Sequence, residues 1–114
     1  MNILKKIVLV AVLVSTANFA FAAGKISKSK IVAVAFQSGG FFLYGNDWGN
    51  PNNCTRSNAI VLLASDSNYD KAYALLLAAY ASGKSVKGYS NGCADFDGQT
   101  YNTIRGYKYL FVSD

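Results

Sequence analysis

Two cysteines, Cys54 and Cys93, stand 39 positions apart in a chain of 114 residues, and the segment between them carries its clearest helical pattern. In an oxidising compartment two thiols in a small chain form one bridge. Closing so long a loop stabilises the fold by about 4 kcal/mol, through the restricted freedom of the unfolded chain. The amino terminus points to such a compartment. Lys5 and Lys6 precede the unbroken apolar run from Ile7 to Val14, and Ala20-Phe21-Ala22 offers a small-x-small cleavage site. The run is shorter than the ~20 residues that cross a bilayer, and it ends in Ser15, Thr16 and Asn18. Residues 1–22 therefore read as a cleaved signal peptide, and residues 23–114 as a single exported domain, secreted or periplasmic, without stable membrane insertion. A domain of this size buries only about 60 to 65% of its unfolded surface, so one bridge carries unusual weight.

Charge and missing residue types narrow the function. Removing Lys5 and Lys6 takes the net charge from +5 to +3. The remaining bases, Lys25, Lys28, Lys30, Arg56, Lys71, Lys84, Lys87, Arg105 and Lys108, are spread along the chain and read as a solvated surface. They do not form the dense stripe of a nucleic-acid binder, so no nucleic-acid partner is expected. The chain has no His and no Glu, which excludes a Ser-His-Asp triad, a Cys-His pair and a His-based zinc site. Asp95 and Asp97 lie close together, but a loop-forming role suits them better than the opposed carboxylates of a glycosidase. The expectation is a protein that is not an enzyme and has no metal or cofactor.

Ile31–Phe36 and Phe41–Tyr44 are β-branched and apolar runs around Gln37-Ser38-Gly39-Gly40, which predicts a hairpin. A long loop of Gly, Asn, Asp and Pro follows to Ser57. Ala59–Ala64 predicts a third strand. Asp66 or Ser67 then offers an N-cap for a helix through Ala72–Tyr80, ended by Ser82-Gly83. Ser85–Tyr89 predicts a fourth strand, Ala94–Asn102 a polar loop, and Thr103–Val112 a fifth strand. Five strands with one helix between the third and fourth is the order of a small OB-fold-like barrel, mainly β, with the helix plugging one end. An open sheet with the helix on one face is the competing arrangement.

Ala72–Ala81 is apolar at nearly every position, more than a surface helix needs. Either its alanines and tyrosine hydroxyls tolerate water, or a second face meets another copy of the chain. On the second reading Ala72, Leu75, Leu76 and Ala79 are the homo-oligomer interface.

The run Tyr73-Ala74-Leu75-Leu76-Leu77-Ala78-Ala79-Tyr80-Ala81-Ser82-Gly83-Lys84-Ser85-Val86 resembles the helix-to-strand passage of the B subunits of subtilase-cytotoxin-like toxins. Asn50-Pro51-Asn52-Asn53-Cys54, Asn91-Gly92-Cys93 and Tyr101-Asn102-Thr103-Ile104-Arg105-Gly106 also resemble a wider set of short secreted bacterial proteins with this spacing. The resemblance implies a ring-forming OB-fold subunit that binds cell-surface glycans, beside a catalytic toxin subunit. The helix departs from that pattern, because a ring-lining helix carries more polar residues than this one. No sugar-contacting residue of those subunits is carried over.

From the residues themselves, the loop around Trp48 is the candidate binding surface. An aromatic face covers the apolar side of a sugar while amides and carboxylates reach its hydroxyls. Trp48 with Tyr44, Asn46, Asp47, Asn50 and Asn52 supplies those groups in one segment. The opposing reading packs Trp48 onto the disulfide and Pro51 as a minor core. Two functions follow: a secreted glycan-binding subunit, or a small structural or interaction protein of the cell exterior with no glycan binding.

Overall fold

The computed structural model describes residues 24–114; the expected signal peptide lies outside the described residues. Among the described residues the chain is mainly β with one helix. Its strands are β1 (Gly24–Lys30), β2 (Ala33–Gln37), β3 (Gly40–Tyr44), β4 (Arg56–Leu63), β5 (Ser85–Ser90), β6 (Cys93–Phe96), β7 (Gln99–Thr103) and β8 (Phe111–Ser113), with helix α1 (Tyr69–Ser82) between β4 and β5. They form two sheets, β1-β5-β8 and β2-β3-β4-β7-β6, and no closed barrel among the described residues.

The expected five-stranded order changes at three places. The polar segment Gly24–Lys30 is a strand paired with β5, so α1 follows the fourth strand, not the third. The expected loop Ala94–Asn102 is a hairpin in which Phe96 pairs with Gln99 around Asp97-Gly98. Both turn residues have positive φ, 56° and 84°, which is the geometry that an Asp-Gly pair favours in two-residue hairpins. The expected last strand is interrupted: Thr103 ends β7, and only Phe111–Ser113 resumes as β8. A barrel does not close because β1 and β8 flank β5 in a separate sheet, while β7 pairs in parallel with β4.

Strand period divides the core. Phe41 and Leu43 of β3 pair with Leu62 and Ile60 of β4, and all four point to one side, where Ile26, Trp48, Leu76, Val86 and Ile104 complete the main core. Phe42 and Val61, one residue out of phase, form a second cluster with Ala59 on the opposite face. There Phe96 and Tyr101 meet the Phe42 ring edge-on, at centroid distances of 4.9 and 5.1 Å.

The helix presents Ala72, Leu76 and Ala79 to the main core, and Tyr73 stands edge-on to Phe41 at 4.7 Å. Gly83 ends it in the left-handed conformation, φ 71°, and the amides of Gly83 and Lys84 return to Tyr80 and Ala79. At the other end the N-cap position is Asn68, which makes no side-chain cap bond. Asp66, expected to cap, instead accepts the Asn68 amide one residue before the helix, at 2.9 Å. The apolar surface of the helix is only partly covered: Leu75, Leu77 and Tyr80 are each about two-fifths exposed.

Leu76→Ala should cost about 3 kcal/mol of unfolding free energy, because it empties a fully enclosed position. Leu75→Ala, one residue away and two-fifths exposed, should cost under about 1 kcal/mol. Urea unfolding of the two variants checks the assigned helix face.

Candidate functional site

The residues expected around Trp48 are not gathered into one surface. Trp48 is 1% exposed and belongs to the main core, not to a minor cluster at the bridge. Tyr44 joins the second cluster on the far face of the larger sheet. Asn46 and Asp47 are exposed, and the Asp47 amide donates to Ser29 Oγ. Asn50 is exposed as well, but its side chain is bonded within the chain: its Oδ1 accepts the Cys54 amide at 2.8 Å and Asn102 Nδ2 at 2.7 Å, and its Nδ2 donates to the Cys54 carbonyl. Asn52 Nδ2 donates to Ser90 Oγ and Asn102 Oδ1. The asparagines thus order the loop beside the Cys54–Cys93 disulfide, which is formed with Cα atoms 5.7 Å apart. Of the expected interface residues, Ala72, Leu76 and Ala79 are enclosed within this chain, and Leu75 alone reaches the surface.

A different surface combines aromatic faces with charge. In the small sheet Lys25 pairs with Tyr89 and Lys87 with Phe111. Lys87 and Tyr89 are two apart on β5, so these four side chains share one face, while Ile26, Val86 and Val112 turn inward. Lys108 and Tyr109, from the segment before β8, close the other side. The result is an open groove of about 460 Å³ lined by Gly24, Lys25, Lys87, Gly88, Tyr89, Lys108, Tyr109 and Phe111. Among the described residues no carboxylate lines it. Lys108 Nζ lies 4.4 Å from the centre of the Tyr89 ring, and Lys87 Nζ 5.0 Å from that of Phe111. Tyr109 is 71% exposed and Phe111 51%, so two aromatic walls are open to a ligand. Tyr109 also holds a positive φ of 51°. For a non-glycine residue this conformation costs roughly 1–2 kcal/mol, and such strain persists only where neighbouring contacts impose it.

The chain just before the groove wall is firmly held. Ile104 is fully buried, and the Arg105 amide donates to the Tyr89 carbonyl at 3.0 Å. The side chain of Asp66 is wholly enclosed. Its Oδ2 accepts Arg105 Nε at 2.9 Å and the Gly106 amide at 3.0 Å. A Cβ on Gly106 would stand 2.9 Å from that of Ala72 and 3.1 Å from Asp66 Oδ1, so only glycine fits this close against the helix. Burial pushes the Asp66 carboxyl up, but the amides of Gly106 and Asn68 and the Arg105 guanidinium outweigh it and hold it below the usual carboxylate range.

Sequence reasoning missed the groove because its lysines are scattered in the chain and gather only through strand pairing. Alternation was the available signal: Lys25-Ile26 and Lys87-Gly88-Tyr89 each place a long side chain outward beside a small or apolar residue turned inward. Comparison with family models, with curated proteins and with solved structures finds no match to this chain.

Two outcomes are expected. Trp48→Ala should lose about 3–5 kcal/mol in chemical unfolding, the cost of emptying an enclosed aromatic site. Asp66, with its folded pKa below its unfolded value near 3.9, contributes stability that is complete above that value and lost as pH falls through the folded pKa. Acid titration of unfolding free energy, in high salt to screen the exposed Lys84–Asp114 pair, should be steeper for wild type than for Asp66→Asn below about pH 4.

Proposed function

We propose that this protein is an exported, disulfide-bonded binding module that holds an acidic carbohydrate in the groove between Tyr89, Tyr109 and Phe111. The observation that carries this reading is the shared face of Lys25, Lys87, Tyr89 and Phe111 on the small sheet, completed by Lys108 and Tyr109. An exposed aromatic ring covers the C–H face of a pyranose, and an ammonium group at its rim takes a carboxylate. The volume of the groove suits one to a few sugar rings, within the range of small-molecule sites. The resemblance to glycan-binding toxin subunits agrees in ligand class but names no residue of this groove. The expected site around Trp48 is set aside because Trp48 and Asn50 are committed to the fold.

Calorimetric titration with trigalacturonate and with its methyl ester separates charge from shape. The acid should bind at least about tenfold more tightly than the ester, equivalent to about 1.4 kcal/mol. Its affinity should fall with added salt, and Tyr109→Ala should abolish it. Equal binding of acid and ester, or undiminished binding by Tyr109→Ala, would count against the groove.

A further inference from the structure

We propose that Asp66 is a positioning residue for this groove: from below the helix start, its carboxylate holds Arg105 and Gly106 and thereby sets the stance of Lys108 and Tyr109. The inference rests on the groove being the binding surface, but its first test does not need a ligand.

The groove has two kinds of wall. Lys25, Lys87, Tyr89 and Phe111 belong to hydrogen-bonded strands and are placed by the sheet. Lys108 and Tyr109 belong to the segment between β7 and β8, where no strand pairing fixes them. That segment is pinned at one end by Ile104, enclosed in the core, and at the other by Leu110, packed against it. Between these points the Asp66 clamp reaches the backbone at Gly106, and Asn68 Nδ2 adds a bond to the Gly106 carbonyl at 3.2 Å. Arg105, gripped by Asp66, also lies 4.8 Å over the Tyr107 ring. The direction in which the chain leaves Gly106 decides where Lys108 arrives over Tyr89 and why Tyr109 stays in its strained backbone conformation.

Two alternatives account less well for the same contacts. A helix cap would require Asp66 to serve the first free amides of α1, but its two oxygens go to Asn68, Arg105 and Gly106. A general stabilising ion pair does not require the backbone amide of Gly106, nor a glycine with no space for a Cβ.

Natural-abundance proton–carbon NMR of the ligand-free domain tests this. The Lys108 side-chain methylenes, held above Tyr89, should be displaced upfield in the wild type. The Lys87 methylenes, above Phe111, serve as an internal reference on paired strands. In Asp66→Asn the Lys108 displacement should be lost while that of Lys87 remains, and trigalacturonate affinity should fall with it. Unchanged Lys108 resonances in folded Asp66→Asn would overturn the proposal. Loss at both lysines would also reject it, because it would mark loosening of the whole small sheet. If Asp66→Asn does not fold, Asp66→Ser in stabilising sucrose decides by the same two readings, since it removes the bonds to Arg105 and Gly106 while its hydroxyl can still accept the Asn68 amide. Should trigalacturonate fail to bind the wild type while the Lys108 signal still follows Asp66, the ligand assignment fails and the clamp stands.

Discussion

Four consecutive residues of β4, Ala59, Ile60, Val61 and Leu62, have no exposed surface. A strand can be buried on both faces only when something covers each of them. Here α1, β1 and β5 contribute to the cover on one side, and a layer of aromatic rings covers the other. This double burial determines much else. The buried backbone groups of β4 need partners at both edges, and β3 supplies them antiparallel on one side and β7 in parallel on the other. Parallel pairing of β4 with β7 requires a crossover, and α1, β5 and β6 lie within it.

The disulfide and the asparagine cluster act at the closing point of that crossover. Cys54 precedes β4, Cys93 begins β6, and β7 lies between those strands in the sheet. A small domain gains little from a long-range parallel pairing until the intervening chain has been ordered, because loop closure opposes it. The covalent link removes part of that cost from the unfolded chain. Asn50 and Asn52, bonded to Asn102 of β7, then fix which residues of the two strands meet. The loop that looked suited to external hydroxyls is needed for this internal task.

The strongly apolar and punctuated parts of the fold were legible in the sequence. The hairpin of β2 and β3, strand β4, the helix with its Gly83 stop, strand β5 and the bridge all follow from period, turn residues and cysteine count. Strand β1 was hidden because only Ile26 and Ser29 turn inward, and a register shift between them breaks the alternation. The β6–β7 hairpin was hidden by its polar composition, although Asp97-Gly98 marked its turn. Asn102 and Thr103 are buried there as hydrogen-bonded polar groups, which an apolar pattern does not reveal. The barrel expectation failed because strand order alone does not say which strands pair. Likewise, the groove depends on pairing across β1, β5 and β8, and no local window contains its residues.

The cation–ring contacts inside the groove favour charge in the proposed ligand. Lys87 and Lys108 rest over aromatic rings, interactions worth about 0.5–1 kcal/mol each at exposed sites. A neutral sugar that takes those ring faces must displace the ammonium groups and returns nothing to them. An acidic sugar displaces them as well, but its carboxylate receives the displaced charge at the rim. The charge-assisted hydrogen bond formed there is stronger than the cation–ring attraction it replaces. The lysine stems remain long enough to swing outward while keeping apolar contact with the sheet. In the proposed site, discrimination rests on these cation–ring pairs, and it depends on Lys108 starting from a defined position over Tyr89. The Asp66 clamp and the strained backbone of Tyr109 provide that starting point.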